Sequence, residues 1–204
     1  MSTVAKITAK KPPSKKIVGD TRSLIINTAL KLFSEKGYFN TSVQDIKRQA
    51  GISVGSIYHH FSGKDAIARA LYDELLLKMQ GMIETINQQQ PSAHDRCKEV
   101  VRQLFIMTEY DPEAVQYILL GKHQEFLPDE QPICSSKPFE LMKNMVQQGM
   151  DDGDIHGVNA GIAAACLFGG PLRVIGLRLD GIIDRPLPEQ LSEVWQYAWR
   201  AVAT

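Results

Sequence analysis

The chain has few cysteines, no long apolar run and no excess charge of either sign. Each lack narrows the classes of function open to it. Cys97, Cys134 and Cys166 are odd in number and far apart, no CxxC pair forms, and the five histidines show no ligand spacing with them. Neither a disulfide framework nor a structural metal is expected, nor any cofactor; the thiols read as reduced residues in or near a core. The longest apolar run, Ala160 to Leu172, holds 13 residues, short of the roughly 20 that a membrane helix needs. Pro171 and Arg173 close it. The opening stretch is Lys-rich but lacks the apolar segment of a secretory signal. The expectation is a cytoplasmic chain with no membrane contact. No Gly-rich phosphate loop, GxSxG elbow or metal-ligand cluster is visible, which argues against an enzyme such as a small helical hydrolase.

The zero net charge conceals a split. Residues 1–64 carry eleven Lys and Arg against Asp20, Glu35 and Asp45, a balance of +8, and residues 65–204 carry twelve against twenty acids, a balance of −8. A basic N-terminal part suits a polyanion and an acidic C-terminal part does not. At the start, residues 1–19 hold Lys6, Lys10, Lys11, Lys15, Lys16 and a Pro12-Pro13 pair with few large apolar side chains. They read as a disordered basic arm, either a solvated tail or one that touches phosphate.

From Asp20 the pattern is helical throughout. Asp20 or Thr21 can cap a helix with Leu24, Ile25, Thr28, Ala29, Leu32 and Phe33 on one broad face, ended by Gly37. Ser42 with Asp45 three residues on resembles a capping box for a short helix from Val43 to Ala50. Gly51-Ile52-Ser53 makes a tight turn into a second short helix from Val54 to about Phe61. A long helix then runs from Lys64 to Gln89 with Leu71, Leu75, Met79, Met82 and Ile86 as its apolar stripe. Further helices are expected near 93–110, 112–126, 137–151, 158–181 and 188–203, with Pro112 and Pro188 in first turns. Gly169-Gly170-Pro171 should kink or interrupt the penultimate one. The fold class is all-α: an N-terminal three-helix helix-turn-helix head over 20–66, and a larger, acidic C-terminal helical domain over 67–204.

Two short helices joined by a Gly-containing turn can place the second in the DNA major groove. That groove, about 12 Å wide, demands small or polar residues on the leading face. Gly55 and Ser56 meet this demand, while Tyr58, His59 and His60 add reach. Ile57 and Phe61 should face inward against Ile46 and Ala50, and Gly51 should take a positive φ. The run Ala50-Gly51-Ile52-Ser53-Val54-Gly55-Ser56-Ile57-Tyr58-His59-His60-Phe61-Ser62-Gly63-Lys64 resembles the DNA-binding signature of the TetR (tetracycline repressor) family. So does its approach through Arg22, Ala29, Leu32-Phe33, Gly37-Tyr38, Thr41-Ser42-Val43 and Asp45-Ile46. The resemblance covers about residues 20–66. It implies contacts to operator bases and phosphates from Ser42, Gln44, Ser53, Gly55, Ser56, Tyr58, His59, His60 and Lys64. Two positions depart from the family pattern, Lys47 where alanine is usual and Val54 where a polar residue is common, and both bear on which operator is read.

The resemblance further implies that 67–204 is a ligand-binding and dimerisation domain, with a homodimer on near-palindromic double-stranded DNA and a small apolar or amphipathic effector that releases it. The C-terminal residues only permit this. Met82 and Met142 can line an adaptable pocket or fill a core. Arg102, Tyr110, Tyr117 and His123, with Glu109, can anchor a ligand or lie on the surface. For the dimer, Gly161, Ala163, Ala164, Ala165 and Gly169 allow close helix approach. Leu191, Val194, Trp195, Ala198, Trp199 and Val202 form an apolar stripe. That stripe either meets a partner or covers its own domain. An effector-independent DNA-binding protein, or an activator, remains the alternative reading.

Overall fold

A computed structural model describes residues 18–157 and 159–204. The expected basic arm lies outside them up to residue 17. Among the described residues there are nine α-helices and no strand, only an isolated bridge between Ile155 and Ala203.

The head is α1 (Val18–Lys36), α2 (Val43–Ala50) and α3 (Val54–His60). Helix α1 is already formed at Val18, so Asp20 and Thr21 lie within its first turn instead of capping it. Ile25, Ala29, Leu32 and Phe33 follow helical spacing and are buried, but Leu24 is 40% exposed and Ile26 and Leu30 take its expected place inside. Gly37 ends the helix at φ 81°, with its N–H on the Phe33 carbonyl; that left-handed conformation suits a residue without a Cβ.

The long helix is α4 (Lys64–Gln89), whose buried face is Ile67, Leu71, Leu75, Met79, Ile83 and Ile86. Met82, expected in that stripe, is only half-buried. Steps of four put Ile83 inward, and the shift to a step of three comes one turn later than the side-chain types suggest. The body is α5 (Ala93–Tyr110), α6 (Pro112–Val115), α7 (Lys137–Asp151), α8 (Ala160–Leu179) and α9 (Leu187–Arg200). Helix α5 packs on α9 and α7, α4 packs on α7, and α8 lies against α7 and α9. One continuous apolar core runs from Ile25 in the head to Val202 at the end of the body.

Three expectations fail on packing. The segment 112–126 is not one helix: α6 makes a single turn, widens to a π-turn over Gln116–Leu120, and gives way at extended Gly121 to a 3₁₀ turn, His123–Glu125. A Cβ on Gly121 would lie 2.3 Å from the Tyr117 carbonyl oxygen, so only glycine allows this close approach. The Gly169-Gly170-Pro171 step does not interrupt α8, because Gly170 has no Cβ to meet the proline ring and only one backbone donor is lost. Helix α8 is therefore 20 residues long, apolar enough by length and composition to cross a membrane, contrary to the short run read from the sequence. Its packing in the bundle against α5, α7 and α9 accounts for only part of that apolarity, since 39% of the apolar stretch is buried there. Of the cysteines, only Cys97 is in the core, where burial pushes its thiol up to about 12, whereas Cys134 and Cys166 are exposed.

Candidate nucleic-acid interface

The geometry of the head starts from two caps. The Ser42 hydroxyl accepts the Asp45 N–H at 3.1 Å and the Asp45 carboxylate accepts the Ser42 N–H at 2.9 Å, a complete capping box. The Ser42 hydroxyl also donates to that carboxylate, and this bond, with the one from the Ser42 N–H, holds the Asp45 carboxyl below its ordinary range because both favour the charged form. Gly51, at φ 65°, closes α2 with its N–H on the Lys47 carbonyl. Ser53 then caps α3 by accepting the Ser56 N–H at 3.0 Å. Turn and caps together leave no freedom in how α3 follows α2.

Burial fixes which side of α3 faces out. Ile57 is fully buried, as is Ile46 on α2, and Phe61 at the end of α3 is 6% exposed. The positions between them must point away. Ser53, Gly55, Tyr58 and His59 are exposed, Ser56 and His60 half-buried, and Tyr58 shows 56% of its surface. On α2, Ser42 and Gln44 are exposed, and so are Lys47, Arg48 and Gln49. The outer face of α3 is thus a row of small, hydroxyl-bearing and imidazole side chains with no large aliphatic among them.

Lys64 is differently placed. Its ammonium donates to the Tyr38 carbonyl at 2.9 Å and sits 4.0 Å from the centroid of the Tyr38 ring, a cation–π contact. The Tyr38 hydroxyl is bonded to Asp65, and the hydroxyl's proton is held more tightly than usual because of burial and that carboxylate. On its other side Tyr38 stacks against Phe126 of the body, centroids 4.3 Å apart and planes at 15°. Sequence patterns did not single out Tyr38 or Phe126 for this; 88 residues separate them, and no local spacing records such a pairing. Arg22, quoted only for its resemblance, reaches 5.5 Å from the Phe61 ring centroid and pairs with Glu74, tying α1 to α3 and α4.

The residues weighed as effector anchors do not converge. Arg102 forks onto Glu99 on its own helix, Tyr110 is 86% exposed, and Met82 is half-buried on α4. Glu109 accepts from Arg178 and from the Leu187 N–H, locking α5 to α8 and to the start of α9. Tyr117 and His123 do meet, rings 4.9 Å apart, with the Tyr117 hydroxyl donating to the Ala68 carbonyl. His123 is 5% exposed, its Nε2 has no hydrogen-bond partner, and desolvation lowers its pKa to about 4. Met142 instead lines a separate cavity of about 570 Å³ between α7 and α8, together with Phe139, Lys143, Ala164, Phe168 and Leu172.

Of the residues weighed for a dimer, Trp195 and Ala198 are buried in their own chain, and the Trp195 indole N–H donates to His94 of α5 at 2.9 Å. Leu191, Val194, Trp199 and Ala164 are half-buried. The uncovered part of α8 carries Gly161, Ile162, Ala165, Cys166 and Gly169, with Ile162 66% exposed. Tyr197 of α9 is 65% exposed.

Residues 25–71, most of the head and the start of α4, match the family of bacterial regulatory proteins described as the tetR family. Over 76 residues, 37% of this chain, the sequence is 40% identical to the HTH-type transcriptional regulator HbdR of Aromatoleum sp. (strain CIB). That match spans only 30% of the relative's own length. Among solved structures, the fatty acid degradation regulator FadR from Bacillus halodurans aligns over 94% of this chain and 97% of its own at a TM-score of 0.77 and 19% identity. The transcriptional regulator FadR from Bacillus subtilis, in complex with stearoyl-CoA, aligns over 88% of this chain and 98% of its own at 0.72 and 20%. At these identities the structural likeness speaks for the fold. Residues 25–71 thus match the tetR family of bacterial regulatory proteins, and the chain as a whole shares the all-helical fold of those solved structures.

Proposed function

We propose that this chain is a cytoplasmic homodimeric repressor that binds a near-palindromic operator through α3 and leaves it when a small apolar or amphipathic molecule binds the body. The observation that carries the reading is the outer face of α3. It offers Ser53, Gly55, Ser56, Tyr58, His59 and His60 around a buried Ile57, the small and polar face that a major groove admits. Exposed Ser42, Gln44, Lys47 and Arg48 on α2 add hydrogen-bonding groups and positive charge beside it. Two heads about 34–36 Å apart then address successive major grooves.

For the dimer, the support is the apolar, small-residue face of α8 that its own chain leaves uncovered, with Tyr197 beside it. The effector reading draws on the 570 Å³ cavity, whose walls include Phe139, Met142, Phe168 and Leu172 and whose polar groups include Ser135, Lys143 and Glu140. Apolar walls with a few charged groups suit a molecule with an apolar body and a polar end. A protein of the same fold is known with stearoyl-CoA bound, a molecule of that kind. An effector that favours the wrong spacing of the heads must weaken DNA binding by the same factor that DNA weakens the effector.

Selection of bound duplexes from a random pool, then affinity against salt for the selected site, tests this. The expected site has two half-sites one helical turn apart. His60→Ala should weaken binding, and Lys47→Ala, at an exposed lysine on α2, should weaken it and reduce the salt slope by about one unit. A chain that binds no duplex of any composition at low salt overturns the proposal.

A further inference from the structure

Where the head meets the body, a second cavity of about 280 Å³ opens between the end of α1 and the π-turn of residues 116–120. Its walls are unusually aromatic: Phe33, Tyr38, Phe39, Tyr117 and Phe126, with Leu120. Phe39 meets Tyr38 and Phe126 nearly edge-on, at 84° and 87°, so rings present both faces and edges to the space. At the mouth, Phe39 is 65% and Leu120 45% exposed, apolar surface that a ligand would remove from water. The polar groups are few. The Gln116 amide oxygen is taken by the Ser34 hydroxyl at 3.0 Å, which leaves its NH₂ as a donor, and the Lys122 ammonium lies 3.3 Å from Glu125.

We propose that this junction cavity binds a small planar aromatic molecule carrying one hydrogen-bond acceptor, and that its occupant acts on DNA binding through Tyr38. The chemistry follows from the lining. Aromatic walls favour a ring that stacks or meets them edge-on, and the volume holds one or two fused rings. The acceptor answers the Gln116 NH₂ and the Lys122 ammonium. The consequence follows from Tyr38. Phe126, stacked 4.3 Å from it, covers one face, so the Lys64 ammonium, 4.0 Å over the ring, must lie on the other. Its hydroxyl holds Asp65. A ring packed against the edge of Tyr38 or against Phe126 shifts this sandwich, and the first turn of α4 moves with it. The site is separate from the cavity between α7 and α8, and it does not depend on the release mechanism proposed above.

The test is calorimetric titration of the full chain with 2-naphthoate. One equivalent per chain is expected. Leu120→Trp, which fills the mouth from an exposed position, should weaken binding about tenfold or more, and Met142→Trp in the other cavity should leave it unchanged. No saturable binding, or the reverse pattern between the two variants, overturns the site. On the selected duplex, saturating 2-naphthoate should lower affinity about fivefold or more, and DNA should lower 2-naphthoate affinity by the same factor. In Lys64→Gln, 2-naphthoate should still bind while its effect on DNA disappears. An effect that persists in that variant overturns the route through Tyr38. If the chain binds no DNA at all, the titration still decides the site, so the two proposals fail separately.

Discussion

His123 sits in surroundings that hold it far from its ordinary chemistry. Tyr72, Tyr117 and Phe126 enclose its ring, its Nε2 is unpartnered, and burial holds its pKa near 4 against an ordinary 6.5. The Tyr117 backbone opposes that shift only in part. In the unfolded chain the imidazole takes up a proton as pH falls through 6.5; in the folded chain it resists until about 4. The unfolded state therefore binds more protons across that window, and stability present above pH 6.5 is lost as pH falls toward 4. The expected loss is on the order of 2 kcal/mol, discounted for residual hydration. Urea unfolding of wild type and His123→Phe at several pH values checks it. The variant should show a shallower decline across that window, and identical curves would remove His123 as the cause.

At the scale of elements, caps and turns wrote most helix boundaries into the sequence. Ser42 with Asp45, Gly51, Ser53 and Gly37 act on their own neighbours, so their geometry can be read locally, and the structure has them as caps and turns. Faces were harder. On α4 the apolar side chains at 82 and 83 are equally suited to the core, and only neighbouring helices choose between them. The choice predicts a contrast. Ile83→Ala, at a fully buried position, should cost about 2–5 kcal/mol, and Met82→Ala, half-buried, less than about 1 kcal/mol. Thermal or urea unfolding of the pair decides it, and equal costs would contradict the packing described. The segment 112–126 was illegible for a related reason. Its helical pattern is real, but the Tyr117 hydroxyl reaches back to the Ala68 carbonyl, 49 residues earlier, and the backbone widens there into a π-turn.

For the whole molecule, the face of α8 left uncovered by its own chain matters most. A 20-residue apolar helix with Gly161, Ile162, Ala165 and Gly169 turned outward leaves a surface that a second copy can bury through an isologous contact. Ile162→Glu should therefore yield a folded monomer, since Ile162 is 66% exposed and contributes little to its own core. Sedimentation should report half the mass, and affinity for a two-half-site duplex should fall at least tenfold, toward that of one head. A variant that stays dimeric would move the interface elsewhere.

The sequence by itself determined the all-helical class, the head over α1 to α3, the turn at Gly51 and the outward row from Ser53 to His60. These depend on interactions between residues a few positions apart: caps, a glycine's positive φ, and the 3.6-residue period that separates Ile57 from Tyr58 and His59. Tertiary structure alone decided that Trp195 and Ala198 cover α5, that Lys64 rests on Tyr38, and that Phe126 stands behind it. Those pairings join side chains 26 to 101 residues apart. Their partners are selected by the shape of the packed bundle, which no local spacing encodes.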